Sequence, residues 1–312
     1  MSPSLRVLSH VPLGLLERVR REFPSLELVQ IPEEGPLPGD LRGEVLLTQA
    51  WGSPNLGAVL EHGVRWVHTY GTGVNAFPFD ALGACVLTCA RGASAVPIAE
   101  WTLAMLLSAE KQLPESWIHA PPKRWNIAFL GGLRGKTLGL VGFGGIGQAV
   151  ARRALAFGMR VLATRRTGAA LPIQGVERAA SLDALLPQAD HLVLAAPATP
   201  ETRGLIGIAA LARVKPGVHL VNVARGELLD QDALHTALDD GRVGLASLDT
   251  VQPEPLPAGH WLYTHPRVRL SPHVSWSDPR AFDDLIAPFV ENLHHYLAGE
   301  PLLYEVDRER GY

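Results

Sequence analysis

Leu138-Gly139-Leu140-Val141-Gly142-Phe143-Gly144-Gly145-Ile146-Gly147 is a short apolar run that breaks into a G-x-G-x-x-G loop. The loop opens a helix-like stretch, QAVARRALAFG (148–158), and a second apolar run, RVLAT (160–164), follows it. Strand, glycine turn, helix and strand within about 30 residues read as a βαβ unit. A glycine-rich turn with no ligand is the bland reading of the pattern. The strand before it and the helix after it argue instead for a dinucleotide site. Gly142 permits the tight turn, Gly144 lets the backbone approach a pyrophosphate, and Gly147 allows close packing of helix on strand. The helix N-terminus, which Gly145 and Ile146 lead into, offers free N–H groups and partial positive charge to phosphates.

The same rhythm continues outward. HLVLA (191–195), VHLVNV (218–223), VGLASLD (243–249) and VRLSP (268–272) are apolar runs separated by helix-like stretches. Runs without alternation suit strands buried on both faces of a parallel sheet. This is an α/β pattern with a doubly wound sheet. LRVLS (5–9), EVLLT (44–48), VRWVHT (64–69) and CVLTC (85–89) predict a smaller α/β unit ahead of it. Between the two, 97–113 is helix-like and apolar almost all round, which predicts burial between domains or against another subunit. Near the end, Phe282, Leu285, Ile286, Phe289, Val290, Leu293 and Leu297 have the spacing of an amphipathic helix.

Composition narrows the classes. The 312 residues are 47% hydrophobic and 19% charged, enough for a sizeable core and two domains. The formal net charge of -3 gives no reason to expect nucleic acid or a membrane surface. The apolar runs fall well short of the roughly 18 residues a membrane span needs. The first residues lack a signal-peptide layout, so a cytoplasmic protein is expected. Cys85 and Cys89 are the only cysteines, too few for a disulfide framework or a four-ligand zinc site. No H-E-x-x-H or similar metal-ligand spacing stands out, and no metal is expected.

The end of the second strand selects the dinucleotide. An acid there, about 20 residues past the loop, would hold the ribose hydroxyls of NAD. This chain has Ala163-Thr164-Arg165-Arg166-Thr167 and no acid. A guanidinium binds a 2′-phosphate that a carboxylate would repel. Arg165 and Arg166, with Thr164 or Thr167 as hydroxyl donors, favour NADP(H), with NAD(H) the alternative. Two solvated arginines are the bland reading, in a chain where Arg outnumbers Lys 24 to 4.

Three later segments carry a resemblance: Val221-Asn222-Val223-Ala224-Arg225-Gly226-Glu227-Leu228-Leu229-Asp230, Leu248-Asp249-Thr250-Val251-Gln252-Pro253-Glu254-Pro255, and Ser271-Pro272-His273-Val274-Ser275. With Gly71-Thr72-Gly73-Val74-Asn75 earlier in the chain, their order and spacing resemble the D-isomer-specific 2-hydroxyacid dehydrogenase family. The resemblance spans most of the chain. It implies a Rossmann-type domain at 97–276, inserted in a smaller flavodoxin-like substrate domain formed by 1–96 and 277–312. The active site would lie in the cleft between them. Helix 97–113 would serve as the interdomain and dimer helix of a homodimer. The ending also fits the family, so a chain without a separate regulatory domain is expected.

The chemistry of these residues fits that family. Reducing a 2-oxo acid needs a carboxylate clamp, a carbonyl polariser and a proton donor. The planar fork of Arg225 can supply the first two. His273 is the natural acid/base, oriented by Glu254, which favours its protonated form. By resemblance, Asp249 would contact the nicotinamide carboxamide, and Val223 and Ala224 would line the nicotinamide pocket. Backbone N–H groups of Gly71, Thr72, Gly73 and Val74, together with Arg225 and His273, would hold the substrate. NADP preference and reductive direction go together in the related glyoxylate/hydroxypyruvate reductases, which the resemblance includes. The resemblance therefore implies an NADPH-preferring reductase of small 2-oxo acids. An NAD-linked dehydrogenase of another D-2-hydroxy acid, or a dinucleotide-sensing corepressor-like binder, are the other readings. Trp276 departs from the small residues common after the catalytic histidine. It could shape the pocket or pack at the hinge. Trp51 and Tyr70, near the expected cleft, would favour small substrates by their bulk.

Overall fold

The computed structural model describes residues 5–126, 129–166 and 170–312. The chain divides into two compact units, one ending at Ser94 and completed by Asp278–Tyr312, the other Ala95–Ser277.

The first unit is built on five parallel strands: β1 (Arg6–Ser9), β2 (Glu27–Gln30), β3 (Val45–Gln49), β4 (Trp66–Tyr70) and β5 (Val86–Cys89). Their order, β2-β1-β3-β4-β5, is the flavodoxin-like arrangement. Strand alternation sends Leu8, Leu46 and Val67 to one core and Val7, Val45, Leu47 and Trp66 to the other. The second core is closed by the helix Ala281–Ala298 through Ile286, Phe289, Val290 and Leu293. Phe282 and Leu297, assigned by spacing to the apolar face of that helix, are exposed. They flank the buried stripe at the two ends of the helix.

The second unit holds seven parallel strands: β6 (Thr137–Val141), β7 (Arg160–Thr164), β8 (Val176–Arg178), β9 (His191–Leu194), β10 (Val218–Asn222), β11 (Val243–Leu248) and β12 (Val268–Leu270). The order β12-β11-β10-β9-β6-β7-β8 is the doubly wound Rossmann arrangement with one extra strand. The order reverses beside β6, so the carboxyl end of β6 is the switch point where such sheets bind ligands. Leu138, Leu140, Val193 and Val221 face one core, and Leu192, Leu194 and Leu220 the other.

The helix Ala95–Lys111 packs Ile98, Ala99, Leu103 and Leu106 on the first of these cores. Full burial was expected of it. Within this chain Trp101, Met105 and Leu107 are only half-buried and Val96 is 40% exposed, so one face alone is covered. Beyond it Trp117, Ile118, Trp125 and Phe129 are exposed. Among the described residues no helix is long and apolar enough to cross a membrane.

Both sheets bury histidines. His68 is fully buried on β4, with Nδ1 2.7 Å from the Thr88 hydroxyl, and burial pushes its imidazole down to about 3. His191 opens β9 and His219 is the second residue of β10, with their Nδ1 atoms 3.2 Å apart. Burial pushes His191 down to about 4 against the pull of Glu110, and lowers His219 as well. The folded values lie below the unfolded one, so between them the unfolded chain binds more protons. Stability is therefore retained above pH 6.5 and lost as pH falls toward 4 and then 3. From pH 6.5 down to about 5, His68 and His191 together are expected to cost roughly 3 kcal/mol, read by urea unfolding at the two pH values. A loss under about 1 kcal/mol would mean that these rings accept protons inside the fold.

Candidate active site

Arg225 lies three residues beyond the end of β10. Fully buried Asn222 shapes the turn: its Oδ1 accepts the Ala224 N–H at 3.0 Å, and its Nδ2 donates to the Arg225 carbonyl at 2.9 Å. The next residue must be glycine. A Cβ at Gly226 would stand 2.0 Å from the Val251 carbonyl carbon, where the loops after β10 and β11 touch. The Arg225 guanidinium donates to the Ala224 carbonyl at 2.7 Å. Burial works against its charge, and the carboxylates of Glu254 and Glu227 work for it.

Glu254 lies in the loop after β11. Its Oε1 accepts the Val251 N–H at 3.0 Å, and its Oε2 lies 2.8 Å from His273 Nδ1. Burial pushes this carboxyl up. The His273 hydrogen bond, the Val251 N–H and the charges of His273 and Arg225 outweigh it, so the net shift is downward. Arg225, Glu254 and His273 thus share one electrostatic neighbourhood on the carboxyl edge of the sheet. His273 Nε2 has no part in the contact with Glu254, so it can face a substrate. A cavity of about 490 Å³ adjoins the pair, lined by Asp249, Val251, Leu256, Leu262, Tyr263 and Leu270 among others.

His273 has φ +54°, a left-handed conformation uncommon for a residue with a Cβ. Its N–H donates to the Asp249 carbonyl at 2.9 Å. Asp249 is buried, and its carboxylate accepts the Ser271 hydroxyl and the N–H groups of Val274 and Ser275. A carboxylate has about four acceptor positions, so at most one remains for the expected nicotinamide carboxamide. Its dominant task in this structure is to hold the histidine loop. Sequence reasoning missed that task, and it missed Asn222 and Ser271. Asn222 could have been flagged as a polar residue inside the apolar run VHLVNV.

The glycine loop follows β6, and its helix is Gly145–Ala156. Gly142 has φ +99°, and a Cβ there would lie 2.7 Å from the backbone of Ala195 and Ala196. A Cβ at Gly147 would lie 2.5 Å from the Gly142 oxygen, while one at Gly144 would meet nothing within 4 Å. The turn is therefore closed toward the sheet and open where a pyrophosphate would come. Gly145 is exposed and Ile146 half-buried in the first helical turn; Val223 and Ala224 are buried at the end of β10.

At the end of β7, Arg166 is exposed and Arg165 half-exposed. Arg166 acts electrostatically on Glu201. Thr164 corrects one expectation. Expected as a free donor, its hydroxyl donates back to the Leu140 carbonyl on the neighbouring strand, at 3.4 Å. Thr167 lies outside the described residues.

The loop Gly71–Val74 belongs to the first unit and follows β4. The Gly71 N–H donates to Thr69 O at 2.9 Å in a tight turn, which removes it from the expected set of substrate donors. The Thr72 hydroxyl donates to Ala90 O at 2.7 Å, Gly73 is half-exposed, and Val74 is buried. One group with metal-ligand spacing is present among the described residues, His235, Asp239 and His265, with ligand atoms within 4.8 Å of one another. The sequence reading missed it. His265 Nδ1 accepts the Arg267 N–H, so a neutral ring carries its proton on Nε2, the nitrogen facing Asp239. A metal at Nε2 requires the opposite tautomer.

Residues 103–275 match the family model "D-isomer specific 2-hydroxyacid dehydrogenase, NAD binding domain". D-3-phosphoglycerate dehydrogenase of Bacillus subtilis is 34% identical over 249 residues, 76% of this chain and 46% of its own length. The D-isomer specific 2-hydroxyacid dehydrogenase of Xanthobacter autotrophicus Py2, solved with NADPH and MES, superposes with a TM-score of 0.86 at 28% identity over 100% of both chains. The NADPH-dependent glyoxylate/hydroxypyruvate reductase of Sinorhizobium meliloti, solved with NADP and sulfate, gives 0.83 at 25% identity over 99% of this chain and 100% of that one. This chain belongs to the D-isomer specific 2-hydroxyacid dehydrogenase family. It spans about half the length of the first curated relatives it matches, 46% and 52%.

Proposed function

We propose that this chain is an NADPH-preferring reductase of small 2-oxo acids, glyoxylate and hydroxypyruvate first, yielding D-2-hydroxy acids. The observation that carries the reading is the 2.8 Å His273–Glu254 pair in the electrostatic neighbourhood of Arg225. All three stand on the edge of the sheet that carries the open glycine turn. The cofactor fits this chain: Gly142 and Gly147 let the turn close on the sheet, Gly144 leaves room for a pyrophosphate, and the helix from Gly145 would offer it free N–H groups. Arg165, half-exposed, and Arg166, exposed, would take the 2′-phosphate, as cations where an acid would repel it.

When bound, the reduced nicotinamide supplies a hydride to the substrate's carbonyl carbon. Arg225 holds the carboxylate through its fork and draws charge onto the carbonyl oxygen. His273 gives the Nε2 proton to that oxygen, and the carbonyl becomes a hydroxyl. Glu254 keeps hold of Nδ1, which fixes the ring and leaves Nε2 for the substrate. A second copy is the proposed partner, supported by the half-covered helix Ala95–Lys111 and the exposed Trp117, Ile118, Trp125 and Phe129; light scattering checks it.

The deciding experiment is kcat/KM with NADPH and NADH against hydroxypyruvate, glyoxylate, pyruvate and phenylpyruvate. Fast turnover of the two small acids with NADPH preferred is expected. Replacing Arg165 and Arg166 together with Ala should then weaken NADPH by a few kcal/mol at most, about 10- to 100-fold, and leave NADH nearly unchanged. Equal losses for both cofactors would remove the arginines from that role. Binding of NADPH with negligible turnover of every acid would replace the reductase with a sensor.

A further inference from the structure

We infer that Trp276 is a positioning residue for the acid/base histidine, its indole N–H fixing the left-handed backbone that carries the His273 imidazole to Glu254. The inference rests on the proposed reductase chemistry for its rate effect, and on geometry for the rest. Trp276 Nε1 donates to the His273 carbonyl oxygen at 3.0 Å. The His273 N–H is held from the other side by the Asp249 carbonyl at 2.9 Å. The peptide planes on both sides of the His273 Cα are thus tied to separate anchors. One is the end of β11, and the other is a ring packed against the core that includes Ile98, Leu138, Val221 and Val223.

The ties matter because His273 sits at φ +54°. A non-glycine residue held in that region needs surroundings that over-determine it, and such residues cluster at functional sites. The backbone sets the direction of the Cα–Cβ bond, and that direction sets where Nδ1 arrives relative to Glu254 Oε2, 2.8 Å away. Asp249 secures the residues on either side of His273 through Ser271, Val274 and Ser275. Trp276 supplies the bond on the carbonyl of His273 itself. A tryptophan is the side chain that can do both jobs at this position. Its ring anchors in the apolar core, and its N–H reaches back three residues to the loop.

Trp276→Phe separates the two jobs, because it keeps the packing and removes the donor. Three quantities are read: kcat with its solvent deuterium isotope effect, NADPH affinity with Tm, and the rate at which diethyl pyrocarbonate acylates His273. The last is followed by peptide mass spectrometry with exposed His294 as reference. The expected result is a kcat lower by about tenfold, the worth of one hydrogen bond, with a larger isotope effect because proton transfer has become more limiting. NADPH affinity and Tm should stay at wild-type values, while His273, freed from Glu254, labels several-fold faster than in the wild type. A kcat within about twofold of wild type with an unchanged isotope effect overturns the inference. So does a kcat loss that comes with lower Tm or lost NADPH binding, which would make Trp276 a packing residue only. If the wild type reduces none of the 2-oxo acids, the proposed reductase reading fails separately. The labelling rate then decides alone: faster at His273 sustains the positioning role, and unchanged overturns it.

Discussion

His273→Ala is expected to lower kcat by on the order of 100-fold or more, with NADPH binding and substrate-analogue binding close to wild type. The ring makes its side-chain contact with Glu254, through Nδ1, and this leaves Nε2 to serve the substrate. Removing it would therefore take away the proposed proton donor and leave the glycine turn and Arg225 in place. Hydride arrival without a proton would leave an alkoxide beside Arg225, a far less favourable product than the alcohol. The loss should fall on kcat, because the proton moves only in the transition state. Glu254→Gln should lose less, since an amide oxygen can still accept from Nδ1 and orient the ring. The measurement is steady-state kinetics with hydroxypyruvate, with NADPH affinity read by fluorescence. A His273→Ala enzyme with near-wild-type kcat would move the acid/base role elsewhere.

The parts of the fold that were legible in sequence are those that physics makes redundant. Ten strands announced themselves as apolar runs because both faces of a covered parallel sheet are buried, as in β9 and β10, where every residue is buried. The two strands that escaped, β2 and β8, are edge strands with exposed or half-exposed residues throughout, so they lack that signal. The helix Ala95–Lys111 begins two residues before Pro97, because proline is tolerated in a first turn. Its apolar circumference suggested full burial, whereas one chain covers one face. The Arg225, Glu254 and His273 set was readable because each follows a strand end in a fixed order. What holds those three was not readable. The Asp249 clamp, the Asn222 bridge and the Trp276 donor depend on bonds between loops, and no periodicity records such bonds. The same holds for the Gly71 N–H and the Thr164 hydroxyl, both spent on neighbouring carbonyls.

Arg225→Lys provides the sharpest contrast with the histidine variant, and a loss in kcat/KM of about 100- to 1000-fold is expected. The substitution keeps a formal cation, so only the loss of the fork is being tested. A guanidinium can grip a carboxylate with two parallel N–H bonds and still present a donor to the adjacent carbonyl oxygen, whereas an ammonium is a single point. Burial adds a second handicap. The site already works against the charge of Arg225, and a lysine in the same desolvated place gives up its proton far more readily. Glu254 and Glu227 would hold part of that charge, which is why the loss is not placed higher. The two variants should also differ in which constant moves. Without the histidine, a planar dicarboxylate analogue such as oxalate should bind nearly as well as before. Without the guanidinium its affinity should collapse and the KM for substrate should rise, because the proposed clamp would act on the ground state as well as the transition state. NADPH affinity should survive in both. If Arg225→Lys keeps more than about a tenth of wild-type kcat/KM, or if oxalate still binds, the carboxylate is held by other donors and Arg225 serves only the electrostatics of Glu254.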